Sequence, residues 1–221
     1  MSKVLEQQIK DLKQDFATMG FGVAEAIKCA IDSIKEHDLK LAQKVIADDE
    51  VINEQETRLE KKSAQIIALQ QPVAGDLREI VAILKASSDL ERLADHAISI
   101  ARITEKLNTS DRDFEIEDLL FEMAANIQQM LADILKAYTE MDDKFAVEVA
   151  ARDSKNDEYF RKVSKVAVKK IQNTPEFALE GIDYLNMANH LERMGDYITN
   201  VAEWIVYTNI GKITELGRND Y

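Results

Sequence analysis

The sequence predicts an all-α protein built as two tandem three-helix bundles related by an internal repeat. Three observations support this. Apolar residues recur at helical spacing along nearly the whole chain. The 221 residues include only two Pro and seven Gly, so little interrupts long helices. The stretch "LERLADHA" at 90–97 returns as "LERMGDYI" at 191–198, with Leu, Glu, Arg and Asp identical and Leu93 matched by Met194.

The elements follow in order. A first helix spans about 2–36 and a second about 38–70, where Pro72 breaks the chain. A third runs from about 74 to 107. The polar stretch 108–111 reads as a loop, with Ser110 or Asp111 suited to cap the next helix. The fourth continues to about 141 and the fifth covers about 143–172. Asn173-Thr174-Pro175 breaks the chain again, with Pro fitted to a first helical turn. The sixth ends near 210, and a loose tail is expected from Gly211. The first repeat is thus 1–109, the second 110–211 and the tail 212–221. The match extends beyond the acidic motif: "AQKVIADDEVIN" at 42–53 aligns with "AVEVAARDSKND" at 146–157, an offset of 104. The acidic motif repeats at 101, a difference that falls in a loop, where length changes are tolerated.

Composition narrows the function. Hydrophobic residues make up 46 % of the chain and charged residues 31 %, a balance that favours a soluble, folded protein. A formal net charge of −13 repels phosphate backbones and argues against nucleic-acid binding. The single Cys29 cannot form an internal disulfide, which fits a reducing compartment, and its apolar neighbours suggest a core position. The amino-terminal stretch is too polar for a signal peptide, and no apolar run approaches the ~20 residues that span a bilayer. A cytoplasmic location is expected, with any membrane contact made through partners.

Helical geometry separates two faces in each copy of the motif. Leu90, Leu93, Ala97 and Ile100 form one apolar seam, and Leu191, Met194, Ile198, Val201 and Ile205 form the other. Glu91 and Asp95 lie one turn apart, far around the helix from that seam, as do Glu192 and Asp196. Both pairs are expected to point away from their own core, with Arg92 and Arg193 off their face. Asp49 with Asn53 and Asp153 with Asp157 repeat the i, i+4 spacing beside the stripe Val45, Ile52, Leu59 and Ile66 or its counterpart. Antiparallel neighbours would bring these oxygen pairs together. Such hard-oxygen groups suit magnesium, calcium, manganese or iron. A plain solvated acidic face is the alternative. His96 and His190 occupy non-matching positions and read as surface residues. Trp204 reads as a packing residue.

No catalytic constellation is present. A di-iron carboxylate bundle of the ferritin kind would show Glu-x-x-His on paired helices, which the chain lacks. His-Glu-x-x-His, a Gly-rich phosphate loop and Gly-x-Ser-x-Gly are also missing. The reading is therefore a non-enzymatic binding protein. A metal-dependent carboxylate enzyme and a metal-free helical scaffold are the alternatives.

The duplicated bundle, the Pro-containing turns and Glu-x-x-x-Asp in "ERLAD" and "ERMGD" resemble the PhoU family of phosphate-uptake regulators, over about residues 10–210. The resemblance implies a cytoplasmic, dimeric negative regulator of phosphate uptake and phosphate-starvation signalling. Its implied partners are the ATPase of the phosphate ABC transporter and a membrane sensor histidine kinase. It also implies metal at the repeated acidic motifs, which carries Asp49, Asn53, Glu91, Asp95, Asp153, Asp157, Glu192 and Asp196 over as candidate ligands. Asn53 brings no charge, which predicts a weaker first site. The metal's identity stays open among iron, zinc, manganese, magnesium and calcium.

Overall fold

The computed structural model describes residues 3–107 and 112–216. The helices are α1 (Lys3–Glu36), α2 (Leu39–Ala47), α3 (Asp49–Gln70), α4 (Ala74–Leu107), α5 (Phe114–Glu140), α6 (Asp143–Ala151), α7 (Asp153–Asn173) and α8 (Ala178–Ile210). A short 3-10 turn over Pro175–Phe177 leads into α8. No helix among the described residues is long and apolar enough to cross a membrane.

The repeat is visible in the turns. α1 and α5 each end on a left-handed residue, His37 at φ 55° and Met141 at φ 54°. In both turns the next amide reaches back to a carbonyl five residues earlier, Asp38 to Ser33 and Asp142 to Ala137. The same aspartates then cap the following helices: Asp38 accepts from the amides of Lys40 and Leu41, and Asp142 from that of Phe145. The cap expected at Ser110 or Asp111 lies outside the described residues. The N-cap of α5 is Asp113, which accepts from the Ile116 amide at 3.1 Å. Arg112 and the Tyr184 hydroxyl hold the nearby, almost fully buried Glu117.

Two expected helices are interrupted. The second is split at Asp48 into α2 and α3, and the fifth at Arg152 into α6 and α7. Neither break contains Gly or Pro, and both fall at the same point of the repeat. Each starts a new helix on an aspartate, Asp49 or Asp153. Beyond α8, residues 211–215 are exposed and irregular, and the Leu216 amide donates to Glu203 Oε1 at 2.7 Å while its side chain packs against the core.

α4 and α8 form the most extensive helix contact, with α1 against α4 and α7 against α8 on the two flanks. Their pairing is antiparallel: Arg78 Nε donates to the Thr208 carbonyl at one end, and Lys106 approaches Asp183 at the other. This register sets Leu93 opposite Met194. Leu90, Leu93, Ala97 and Ile100 are fully buried, as are Leu191, Met194, Ile198 and Val201. The seams therefore join the two bundles as well as filling each one. Leu93→Ala and Met194→Ala are each expected to destabilise the fold by about 2–5 kcal/mol, read by urea unfolding. Leu69→Ser, at a position that is 74 % exposed, should stay within about 0.5 kcal/mol of the parent.

Candidate functional site

The breaks at Asp48 and Arg152 aim α3 and α7 so that their first turns face the middles of α4 and α8. In the first repeat, Glu91 and Asp95 of α4 meet Asp49 and Glu56 of α3. Burial, then Asp95, Glu56 and Asp49, lifts the Glu91 carboxyl to about 7. Burial followed by Asp49 raises Asp95 as well. Asn53 donates through Nδ2 to Asp49 Oδ1 at 3.3 Å, so its amide is committed to its neighbour one turn back.

The second repeat brings together all four expected carboxylates. Burial pushes Asp153 up to about 6, against a hydrogen bond from Asn156, with Asp196, Asp157 and Glu192 adding to the rise. Glu192 is raised by burial, then Asp196 and Asp157, and Asp196 by burial and Asp157. Gly195 makes room for this approach. A Cβ there would fall 1.9 Å from Asp153 Oδ1, so only glycine lets that carboxylate rest on α8 between Glu192 and Asp196.

Several expectations need correction. The alternative of a plain solvated acidic face does not fit, since Glu91, Glu192 and Asp196 are half-buried and only Asp95 is exposed. Arg193 does share the acidic face, with Nη1 donating to Asp196 Oδ2 at 3.3 Å and Nε 3.7 Å from Glu192 Oε2. His96 and His190 are not free surface groups. They meet across the α4–α8 seam with Nδ1 atoms 2.9 Å apart, and His96 stacks on Tyr197. Burial, with His190 and Arg193 nearby, lowers His96 to about 4. Trp204 packs as expected and also donates to Asp89 Oδ2 at 3.1 Å. Cys29 is half-buried at a surface recess rather than enclosed in the core.

Glu56 was missed by the sequence reading. Its signal was there, seven residues after Asp49 and three after Asn53 on the same helical face. Asn156 was missed too. It is fully buried, donates to Asp153 Oδ1 at 3.0 Å and accepts from Asn126 Nδ2 at 2.8 Å, which fixes the carboxylate's orientation.

Carboxylates that raise one another form a site whose repulsion a cation would relieve, and their hard oxygens fit such a group. Among the described residues, no three His, Cys, Asp or Glu side chains converge closely enough to enclose an ion as they stand. The residues suited to hold one are Glu91, Asp95, Asp49 and Glu56 in the first repeat, and Glu192, Asp196, Asp153 and Asp157 in the second.

The fold and site define a duplicated helical-bundle protein with two related acidic faces, one per repeat, and no catalytic constellation among the described residues. The PhoU domain matches residues 16–104 and again 120–205. The chain belongs to the PhoU family. It is 31 % identical over 216 residues to a Streptococcus pneumoniae protein named phosphate-specific transport system accessory protein PhoU homolog, covering 98 % of this chain and all of the other. A Thermotoga maritima protein named PhoU homolog 1 is 33 % identical over 207 residues, covering 94 % of this chain and 89 % of its own length. Among solved structures, the phosphate transport system regulatory protein PhoU of Streptococcus pneumoniae superposes with a TM-score of 0.91 at 31 % identity, over 96 % of this chain and 100 % of that one. PhoU of Pseudomonas aeruginosa gives 0.90 at 27 % identity, over 94 % and 99 %. These relatives are named as accessory or regulatory proteins, in keeping with the non-enzymatic reading.

Because its folded-state pKa is raised, protonated Asp153 favours the folded state. That contribution is present at low pH and is lost as pH rises through about 6. In chelator-treated protein, Asp153→Asn should therefore raise the thermal midpoint at pH 8 and change it little at pH 4. A lower midpoint at pH 8 would contradict the crowding of carboxylates around this residue.

Proposed function

We propose that this protein is a cytoplasmic negative regulator of phosphate uptake and of phosphate-starvation signalling, working as a homodimer. It acts by contact with the ATPase of the phosphate ABC transporter and with a sensor histidine kinase. The observation that carries this reading is the full-length match to proteins named as accessory to phosphate-specific transport, joined to an acidic face duplicated in both repeats. A regulator of this kind must bind one state of its partner better than another, because only differential affinity shifts an equilibrium. A net charge of −13 over the whole chain suits basic partner surfaces.

We further propose that both acidic faces take a metal cation. A bound cation supplies positive charge that changes the sign of the local surface and so the partner it accepts. Glu192, Asp196, Asp153 and Asp157 offer four carboxylates, whereas Asn53 leaves its position in the first site uncharged. Glu56 supplies the fourth carboxylate of the first face in place of Asn53, so each face offers four.

The test is complementation of a bacterial strain lacking its own regulator of this family and carrying a phosphate-starvation reporter. The parent protein should restore repression in phosphate-rich medium. Elemental analysis of untagged protein should find metal in the parent and markedly less in Glu91→Ala/Glu192→Ala. Failure to repress removes the regulatory reading, and unchanged metal content in the double variant removes these residues as ligands.

A further inference from the structure

The two repeats differ beside the first acidic face. A cavity of about 290 Å3 opens between α1, the α2–α3 break and α4, lined by apolar Ala26, Val45, Ile52 and Ile98. The repeat offset of 104 explains it. Asn126 and Met130 of α5 stand where α1 has Gly22 and Ala26. In the second repeat those larger side chains close the space. Met130 is fully buried, and Asn126 donates to both Asn156 Oδ1 and Met130 Sδ. The first repeat leaves it open, and Gly22 and Gln55 both line it. Gln55 Oε1 is shielded from solvent with no donor. Close packing is the rule in protein interiors, and an orphaned buried acceptor is costly. A recess with both features, which the sister repeat fills, is shaped for an occupant.

The polar lining says what kind. Glu25, Asp48 and Asp49 contribute three carboxylates against the single cation Lys44. Val51, which is 55 % exposed, also lines the recess. Phe21, 70 % exposed, precedes the lining residue Glu25 by one helical turn on α1. An apolar slot rimmed by acid and flanked by exposed apolar side chains has the anatomy of a small protein-binding surface.

We propose that this recess docks a segment of a partner protein that inserts one apolar side chain flanked by Lys or Arg. The apolar anchor fills the slot, the basic flanks meet Glu25 and Asp48, and an N–H of the segment satisfies Gln55 Oε1. The inference rests on the reading that this protein works through contacts with other proteins, and it assigns such contacts to the first repeat alone.

The experiment selects a random-peptide phage library on the full-length protein and, in parallel, on Gly22→Asn/Ala26→Met, which copies the second repeat's own residues. Peptides enriched on the parent should carry an apolar residue flanked by Lys or Arg. In fluorescence anisotropy, their affinity should fall about tenfold or more on the filled variant and on Glu25→Gln/Asp48→Asn. Circular dichroism and the thermal midpoint confirm that each variant is folded. Gly22→Asn alone serves if the double change is not tolerated, since a Cβ there meets only Gln55 Oε1, at 3.7 Å. Equal binding to a filled variant, peptides without basic flanks, or no enrichment at all would overturn the proposal. So would a recess that binds indole, read by methyl shifts of Val45 and Ile52, while no peptide is selected. If the parent still represses the starvation reporter, such a failure removes this docking surface and leaves the regulatory reading intact.

Discussion

The antiparallel contact of α4 with α8 is the constraint on which the rest of the molecule depends. Each helix offers a seam of fully buried side chains, and Leu93 sits opposite Met194 at the crossing. α1 and α3 pack on α4, while α5, α6 and α7 pack on α8. Polar pairs set the register of the crossing. Asp89 accepts from both Asn200 and Trp204, Arg92 lies over the Tyr197 ring, and His96 meets His190. These mostly half-buried polar groups are each partnered, and partnered groups specify one alignment of the helices over others.

The acidic faces follow from that arrangement. Once the seam of α4 is committed to the core, the helical wheel turns Glu91 and Asp95 toward α3, and the same holds for Glu192 and Asp196 toward α7. The result is not an ordinary solvated surface. Partial burial and mutual repulsion together push several of these carboxyls toward the neutral range, and Gly195 removes the one Cβ that would keep Asp153 away. These carboxylates are crowded against one another and against the facing helix.

The periodicity of the seams, the Pro-containing turns and the repeat itself were legible in the sequence, because each rests on spacing within one segment. The breaks at Asp48 and Arg152 were not. A one-residue departure from helical geometry without Gly or Pro leaves no mark on composition. The His96–His190 contact was hidden for a different reason, since it depends on the register of two helices about a hundred residues apart. Arg193 was misplaced because a long side chain can reach back to a face its own Cα does not share. Glu56 was readable from its spacing but carries no repeat signal, as Phe160 takes its place in the second copy. The recess in the first repeat could be read only by setting Gly22 and Ala26 against Asn126 and Met130, and its meaning required the packing of the second repeat as a reference.

The breaks at Asp48 and Arg152 have an electrostatic effect of their own. By ending one helix and starting another, they put Asp49 and Asp153 in the first turns of α3 and α7. Aligned peptide dipoles give a helix start a partial positive charge that favours an anion there. In an uninterrupted helix the same carboxylates would sit mid-span and lose that support. Each acidic face thus has a backbone counter-charge built into the chain, which offsets part of the repulsion among its carboxylates.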